Sequence, residues 1–524
     1  MSTPAQAAVA GPRAGAAIEE ADRPRAPVLV ALFAGAALIS GFTILRGGAE
    51  FDEGVVLAAA GRVAAGEVPY RDFLWPYGPA QPYLLGGWFE LLGPSLLSWR
   101  ILRVACDAAV ALTVWLLIRR EVSPPLALVG WLVAACCMAQ PTSAGPYPFG
   151  LLLGLAAFAA ATGGRPRPLL CGLLVALAAA WRLDFAVYAA GAVAAAWLLE
   201  PGRRRALVPF ALATGALSAV AYLPFAIVAG AATLWDQLVA KSLREKEWWT
   251  LPFPLTYDGG FATWPPQALL EDAKDLLGYY VPVIGVAGLG LVTLAVLARR
   301  REQPWRLAGL VGLGAGGLAY LLSRADEFHT TPLIVVLGVS IPLALAGRPR
   351  RALAIGLAAV LALLLAYGAW NRLSALLQPP AHERIDLEVA DGASAAPGEA
   401  RALERMVADV QRLVPEGEPI YAATRRSDLV AFNQPLIYVL TQRRNASDED
   451  FGLLATRSAQ ERAVTALERE RPRAVVRWLD PISVRREDNR RGRPSGVRLL
   501  DRFLEREYRE SARYGRYAIL VPRG

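Results

Sequence analysis

Apolar blocks of roughly 20 residues alternate with short polar interruptions from about residue 27 to about residue 370. Helices suit such blocks, because a helix satisfies its own backbone hydrogen bonds in lipid. The charged fraction is an ordinary 19%, so the 55% hydrophobic content is segregated into the blocks. The sequence therefore predicts a polytopic α-helical membrane protein with about 11 transmembrane helices. The predicted spans are 27–45, 101–118, 124–139, 147–162, 168–181, 185–199, 206–229, 280–298, 305–322, 331–346 and 352–370.

Two of these blocks are short for a hydrocarbon core of about 30 Å, so a re-entrant pair is an alternative to two spans. Arginine clusters occupy every second boundary between the blocks, and positive residues near span ends mark the cytoplasmic side. The N-terminus is therefore predicted to be cytoplasmic, with residues 1–26 as a disordered tail. The clusters are Arg23/Arg25, Arg119/Arg120, Arg165/Arg167, Arg203-Arg204-Arg205, Arg299-Arg300-Arg301 and Arg348/Arg350/Arg351.

The net charge of +9 is explained largely by these short loops, so we interpret it as a topological signal. A nucleic-acid partner is not expected, although a basic chain alone would allow one. An odd number of spans places the C-terminal region, residues 380–524, outside the cytoplasm. Helical and strand-like segments alternate there, which predicts an extracytoplasmic α/β domain with a parallel or mixed sheet. The predicted helices are 402–413, 460–469 and 499–507, and the predicted strands are 419–424, 473–478 and 517–521.

The first outer loop, residues 46–100, carries the most specific pattern in the chain. Asp52-Glu53-Gly54 is followed by a short amphipathic run, then by Gly66, Pro69-Tyr70-Arg71-Asp72-Phe73 and Tyr77-Gly78-Pro79. The amphipathic runs before and after this cluster are expected to be short helices in the membrane interface. In order and spacing, the string resembles the first extracytoplasmic loop of bacterial GT-C membrane glycosyltransferases. That superfamily includes the protein O-mannosyltransferases (family 39-like) and the lipid A aminoarabinose transferase.

This resemblance implies a transmembrane GT-C catalytic domain over residues 27–370 and a polyprenyl-phosphate sugar as donor. The acceptor would be an extracytoplasmic glycan, lipid or protein of the cell envelope, and the enzyme would lie in the bacterial inner membrane. The resemblance covers the whole length in outline, and its specific motif is confined to residues 52–79. It does not identify the sugar.

The catalytic carboxylates are expected in the first outer loop. Glycosyl transfer needs a base for the acceptor hydroxyl, and Asp52 matches the position of the family's catalytic acidic residue. Its structural alternative is to cap the following helix, with Glu53 as the capping partner. Asp72 resembles a second acidic position of the family. Three roles are open for Asp72, namely binding the acceptor, orienting a partner, or pairing with Arg71.

The donor phosphate is expected to meet basic residues at other outer boundaries. Arg324 and His329 lie between two late spans and resemble the late loop of the bacterial relatives, and a guanidinium fork suits phosphate. Arg324 anchored at the interface is the structural alternative. Arg182 is a further candidate for donor binding, and an interfacial ion pair with Asp184 is its alternative.

Sugar or acceptor contacts are assigned to Asp184, Tyr77, Trp75 and Arg443. The aromatic residues have an alternative role in the aromatic belt at the interface, as do Trp248 and Trp249. Residues 438–452 resemble the segment of related enzymes that lies over the active site. Arg443, in that segment, would contact either the acceptor or the acidic surface of its own domain.

No cofactor is expected. The four cysteines lie in apolar blocks without metal-ligand spacing, and a divalent cation near Asp326 is conceivable but not favoured. Two rival functions remain at this stage. A transporter or lipid flippase would place ionisable residues near the bilayer midplane, whereas here they gather at the outer boundaries. A non-catalytic envelope scaffold would keep its activity without Asp52.

Overall fold

The structure is a computed structural model in which a bundle of apolar helices is joined to a C-terminal mixed-sheet domain. Most of the predicted tail, the boundary between residues 140 and 147, the cluster Arg299-Arg300-Arg301 and part of the segment 438–452 lie outside the described residues. The described residues are 24–48, 51–138, 142, 147–254, 273, 276–298, 304–431, 433–450, 454 and 456–524.

The helices of the first 377 residues account for all the predicted spans. They are α1 Ala26–Gly41, α2 Asp52–Ala64, α3 Ala80–Leu92, α4 Leu96–Ile118, α5 Pro124–Met138, α6 Tyr147–Thr162, α7 Pro168–Trp181, α8 Leu183–Leu199, α9 Leu207–Ala229, α10 Ala231–Trp235, α11 Lys241–Arg244, α12 Lys246–Trp249, α13 Val281–Ala298, α14 Pro304–Ser323, α15 Glu327–Ala346 and α16 Arg351–Leu377. Short 3₁₀ or π segments cover Pro201–Ala206, Asp236–Ala240 and Leu276–Tyr280.

Every predicted apolar block coincides with one of these helices. In the part of the chain that the structure describes, 6 helices are long and apolar enough to cross a membrane. They are Leu96–Ile118, Pro201–Ala229, Leu276–Leu297, Trp305–Ser323, Phe328–Ala346 and Arg351–Leu377. The remaining blocks fall on the shorter apolar helices α1, α5, α6, α7 and α8. The predicted class is thus confirmed, and the number of spanning helices stays a prediction.

Small residues allow the helices of the bundle to approach closely. A Cβ atom added at Gly130 in α5 would lie 2.6 Å from the carbonyl oxygen of Gly338 in α15. A Cβ atom at Gly309 in α14 would lie 2.6 Å from the ring of Phe158 in α6. Close backbone approach is the usual way in which helices associate where lipid removes the hydrophobic driving force.

The arginine-rich boundaries meet at one end of the bundle. Arg203 donates to the carbonyl oxygens of Ala161 and Gly163 at 2.7 Å each, so it closes the end of α6. Arg306, at the start of α14, pairs with Glu121 at 2.5 Å. These contacts involve four boundaries that the charge pattern assigned to one face of the membrane.

The opposite end carries the first outer loop, whose helices are more buried than expected. Most residues of α2 are buried, and the helix packs against α3 on one side and against the C-terminal domain on another. At Gly54 the two domains touch so closely that an added Cβ atom would lie 2.3 Å from the backbone nitrogen of Leu436. The C-terminal domain therefore covers α2, and the position of this helix in the membrane interface stays a prediction.

The C-terminal domain contains a five-stranded mixed sheet flanked by helices. Its strand order is β4-β3-β5-β7-β6, with β3 parallel to β4 and β5, and β7 antiparallel to β5 and β6. The sequence pattern missed β4 and β6. The elements are β1 Glu383–Arg384, β2 Ser394–Ala395, α17 Pro397–Leu413, β3 Pro419–Ala423, α18 Leu436–Thr441, β4 Arg444–Asn445, α19 Arg457–Glu470, β5 Val475–Trp478, α20 Leu499–Glu507, β6 Tyr508–Tyr514 and β7 Tyr517–Pro522. Short 3₁₀ turns cover Glu388–Ala390 and Pro481–Val484.

Candidate active site

The start of α2 is fixed by a buried ion pair between Glu53 and Arg100 of α4. Arg100 Nε lies 2.6 Å from Glu53 Oε1, and its Nη2 lies 2.8 Å from Oε2. The same guanidinium donates to the carbonyl oxygens of Ile44 and Gly47 at 2.7 Å each. Neither side chain has exposed surface. The Glu53 carboxylate thus holds α2 to Arg100 of α4, and Arg100 in turn holds the segment that follows α1, which favours a structural role for Glu53.

The adjacent carboxylate, Asp52, has none of these contacts. It is the first residue of α2, the N-cap is Phe51, and no side-chain capping hydrogen bond is formed there. Among the described residues, no hydrogen bond or ion pair reaches the Asp52 carboxylate, and the residue is exposed. Its capping alternative therefore finds no support in the geometry.

The surroundings of Asp52 change its acidity. Desolvation by the surrounding protein and the negative charge of Asp326 raise its pKa, while His329, Arg324 and Arg491 oppose this shift. Asp52 thus keeps exposed surface and is desolvated by the protein around it. These charges belong to the late loop and to the C-terminal domain, so both lie within electrostatic reach of this carboxylate.

Arg324 and His329 of the late loop are both organised by Asp326. Arg324 Nε donates to Asp326 Oδ2 at 2.7 Å, and His329 Nδ1 lies 2.6 Å from Asp326 Oδ1. Asp326 also caps α15 by accepting the backbone N–H groups of Phe328 and His329 at 3.0 Å each. Burial would raise the pKa of Asp326, but the hydrogen bond and charge of His329 and the charge of Arg324 hold it below its usual range.

The two terminal nitrogens of the Arg324 guanidinium bind different parts of the chain. Its Nη1 donates to the carbonyl oxygen of Trp249 at 2.8 Å, and its Nη2 donates to Glu487 Oε1 at 2.9 Å. The Trp249 ring stacks on Phe51 with ring centroids 6.3 Å apart. The guanidinium therefore lies where the late loop, the end of α12, the residue before Asp52 and the C-terminal domain meet.

Arg182 and Asp184 form the ion pair that was their structural alternative, with Nε 2.8 Å from Oδ1. The Arg182 guanidinium also lies over the rings of Tyr77 and Tyr320, at 5.4 Å and 4.7 Å from their centroids. Desolvation raises the pKa of Tyr77, Arg182 lowers it, and the charge of Asp52 raises it further. Tyr77 thus lies against Arg182 and within electrostatic reach of Asp52.

Two predicted residues of the first outer loop, Asp72 and Trp75, are engaged in contacts within that loop. Asp72 accepts two hydrogen bonds from Arg71, at 2.8 Å and 2.7 Å, and one from the backbone of Val68 at 2.7 Å. Of its three open roles, the structure shows the pairing with Arg71. That hydrogen bonding lowers the pKa of Asp72. Trp75 is 1% exposed and its indole N–H donates to Gly78 at 2.8 Å, which favours a packing role.

Arg443 is used within its own domain. Its guanidinium donates to backbone carbonyl oxygens at the ends of α17 and α18, including Val414 at 2.8 Å and Gln442 at 3.1 Å. This environment favours neither of its expected roles, since these acceptors are carbonyl groups rather than acidic side chains. The segment around it nevertheless contacts the first outer loop, because the carbonyl oxygen of Asp448 accepts the N–H of Leu74 at 2.8 Å and that of Ser447 accepts from Arg62 at 2.9 Å.

Several residues of the cluster were not assigned to it from the sequence. Tyr320 lies inside an apolar block and carries no local signal. Glu487 and Arg491 belong to a charged stretch that is typical of a solvated surface. Asp326 was considered only as a metal ligand. No group of three or more His, Cys, Asp or Glu side chains within the described residues is arranged to hold a metal ion.

Comparisons with known proteins give the same fold. No family model matches the chain, and no curated protein matches it. Among solved structures, the chain is similar to ArnT from Cupriavidus metallidurans bound to undecaprenyl phosphate, with 13% identity over 95% of this chain and 98% of that chain and a TM-score of 0.55. The apo state of the same protein gives 14% identity, the same coverage of both chains and a TM-score of 0.54.

The oligosaccharyltransferase of Archaeoglobus fulgidus in the apo form is also similar. Its identity is 14%, over 86% of this chain and 69% of that chain, with a TM-score of 0.51. ArnT, the lipid A aminoarabinose transferase, and the oligosaccharyltransferase are both GT-C superfamily members. The predicted GT-C-like fold with a C-terminal sheet domain is therefore confirmed.

Proposed function

We propose that this chain is an integral membrane glycosyltransferase that moves a sugar from a polyprenyl phosphate to an extracytoplasmic acceptor. One observation carries this proposal. Charged residues from three outer boundaries lie at the same end of a GT-C-like bundle, within electrostatic reach of one another: Asp52, Arg324, His329 and Arg182. Arg324 binds the carbonyl oxygen of Trp249, whose ring stacks on the residue before Asp52, and Arg182 lies over the ring of Tyr77. The solved structure of ArnT with undecaprenyl phosphate supports a lipid phosphate as the donor's carrier. The acceptor would be an envelope glycan, a lipid or a protein.

Asp52 would act as the general base. The acceptor hydroxyl attacks the anomeric carbon, its proton passes to the Asp52 carboxylate, and the bond between the sugar and the phosphate oxygen breaks. The electron pair of that bond leaves with the polyprenyl phosphate. A raised pKa suits this role, because a base is most effective when its pKa approaches the working pH.

The growing negative charge on the departing phosphate needs cations. Arg324, held among Asp326, Trp249 and Glu487, has a planar fork suited to phosphate oxygens. His329, tied to the same Asp326, would assist as a hydrogen-bond donor to the phosphate. Arg182 and Tyr77 lie on another side of Asp52 and would contact the sugar or its phosphate.

The orientation of the chain is part of the proposal. The arginine-rich end would face the cytoplasm of a bacterial inner membrane, and the C-terminal domain would lie outside. Reporter fusions within Pro201–Arg205 and after Gln378 should report opposite sides of the membrane. If both report the same side, the assignment of the cluster to the outer face is wrong.

The function is tested by comparing the envelope of cells with and without the protein. Mass spectrometry of glycans, lipids and glycoproteins should reveal a sugar that disappears with the protein. The purified protein should then transfer that sugar from its polyprenyl phosphate and release free polyprenyl phosphate. Movement of the lipid-linked sugar between the leaflets of a vesicle, without cleavage of the sugar–phosphate bond, would support the flippase alternative instead.

A further inference from the structure

The Glu487 carboxylate is shared by two arginines from different parts of the chain. Its Oε1 atom accepts from Arg324 Nη2 at 2.9 Å, and Nη1 of Arg491 makes a second, shorter ion pair with the same oxygen. Arg324 belongs to the late loop of the bundle, whereas Glu487 and Arg491 belong to the C-terminal domain. One oxygen atom thus sits between two guanidinium groups across the domain boundary.

This group of side chains is largely buried and is held in place by further hydrogen bonds. The exposed fractions of the Arg324, Glu487 and Arg491 side chains are 18%, 13% and 11%. Asn489 donates to the other carboxylate oxygen of Glu487 at 3.0 Å, and the carbonyl oxygen of Ile482 accepts from Arg491 at 3.1 Å. Burial would raise the pKa of Glu487, but the hydrogen bond and charge of Arg324 and the charge of Arg491 hold it below its usual range.

This pair of guanidinium groups lies close to the loop that carries the proposed base, because Arg324 donates to the carbonyl oxygen of Trp249, whose ring stacks on Phe51. Arg324 and Arg491 both act on the ionisation of Asp52, so both lie within electrostatic reach of its carboxylate. Arg324 also pairs with Asp326, so the two guanidinium groups are balanced by two carboxylates while Glu487 is in place. If Glu487 moved away, one positive charge and the donors that it now occupies on both arginines would become free for a phosphate group. Phosphate oxygens also match the fork geometry of both arginines.

We propose that Arg491 is a second phosphate-binding residue, and that Glu487 occupies the phosphate position until the lipid phosphate displaces it. The inference rests on the proposed function, since it assigns two further residues to the same donor site. The C-terminal domain then contributes directly to binding the lipid phosphate. A purely structural ion pair that docks the domain is the competing explanation, and it makes different predictions for binding.

Binding of polyprenyl phosphate to the purified full-length chain in detergent tests this inference without any need for transfer. Native mass spectrometry would measure its affinity, with the uncharged polyprenol as the reference ligand. Arg491→Gln should weaken binding of the phosphate roughly tenfold or more, the scale of a lost charge-assisted hydrogen bond. Glu487→Gln should tighten binding, because the competing negative charge is gone while the side chain keeps its shape.

Arg490→Gln is the matched control. Arg490 is adjacent to Arg491, but its side chain is 61% exposed and pairs with Glu247 at 3.3 Å. The affinity of the Arg490→Gln variant for polyprenyl phosphate should equal that of the wild type. Thermal unfolding of all three variants would show whether a change in binding follows from loss of structure.

The outcomes separate this inference from the proposed function. Equal phosphate affinity of Arg491→Gln and Arg490→Gln would overturn the role of Arg491, while the donor site around Arg324 would stand. Weaker binding in a stable Glu487→Gln variant would overturn the displacement of Glu487. If the wild type does not distinguish polyprenyl phosphate from polyprenol, the proposed function itself fails.

Discussion

Glu53 and Arg100 form a two-pronged ion pair, at 2.6 Å and 2.8 Å, that is completely buried one residue away from the exposed carboxylate of Asp52. Two adjacent acidic residues therefore have opposite environments. The charge of Glu53 is compensated by the buried Arg100, whereas Asp52 keeps exposed surface and has a raised pKa. This contrast predicts that Glu53→Gln will lose stability, whereas Asp52→Asn will lose activity.

Glu53→Gln should destabilise the protein. Breaking a buried pair leaves the Arg100 charge without its counterion, which costs about 3–5 kcal/mol. The midpoint of thermal unfolding in detergent should fall clearly, while the transfer rate per folded molecule stays within a few-fold of the wild type. Glu90→Gln, which changes an exposed carboxylate on α3, is the control and should leave unfolding unchanged. A stable but inactive Glu53→Gln would assign the chemistry to Glu53.

Gly54→Ala should loosen the C-terminal domain. The added Cβ atom would lie 2.3 Å from the backbone nitrogen of Leu436, so α18 must shift. Gly61, in the same helix, has nothing within 4 Å of an added Cβ atom, and Gly61→Ala should be neutral or stabilising by up to about 1 kcal/mol. Limited proteolysis of the C-terminal domain would compare the two variants. Equal resistance to the protease would contradict the tight docking at α2.

Arg324 variants should separate charge from fork geometry. Arg324→Lys keeps the positive charge but loses the bidentate fork, so it should impair transfer less than Arg324→Ala without restoring the wild-type rate. The measurement is the initial rate of transfer from a purified polyprenyl-phosphate donor. Wild-type activity in Arg324→Ala would reduce this residue to an anchor between the late loop and the C-terminal domain.

The pH profile of transfer should reflect the environment of Asp52. A base must be ionised, so activity is lost as the pH falls through its pKa, and a raised pKa moves this loss to higher pH. Arg491 lowers the pKa of Asp52 in the wild type, so Arg491→Gln should move the acidic limb of the kcat/KM profile to higher pH. An acidic limb that stays in place in this variant would contradict the electrostatic coupling.

Much of the fold follows from the sequence because hydrophobic length is a local property. The membrane also restricts which residues can share a site, because every second boundary between successive spans must lie on the same face. That restriction allowed Arg182, Arg324 and His329 to be grouped with Asp52 before any contact was known. The same restriction could not show which side chains of a boundary point into the cluster. Trp75, for example, is buried within the first outer loop.

The contributions of the C-terminal domain depend on long-range docking. Glu487 reaches Arg324 across the boundary between the bundle and the C-terminal domain, where α18 packs on Gly54 and the carbonyl oxygen of Asp448 binds Leu74. No local pattern around residue 487 encodes these contacts. Arg443 illustrates the same limit, because its segment does contact the first outer loop while its own guanidinium is satisfied by backbone carbonyl oxygens.

The most direct test of the account is the transfer rate of Asp52→Asn, measured beside Asp72→Asn with the true donor and acceptor. Asp52 accepts no hydrogen bond among the described residues, so its amide variant should keep wild-type stability. A positioned base contributes ~10²–10⁴-fold, and Asp52→Asn should lose activity on that scale. Asp72→Asn should stay much closer to the wild type. Retained activity in Asp52→Asn together with its loss in Asp72→Asn would make Asp72 the base and contradict the account.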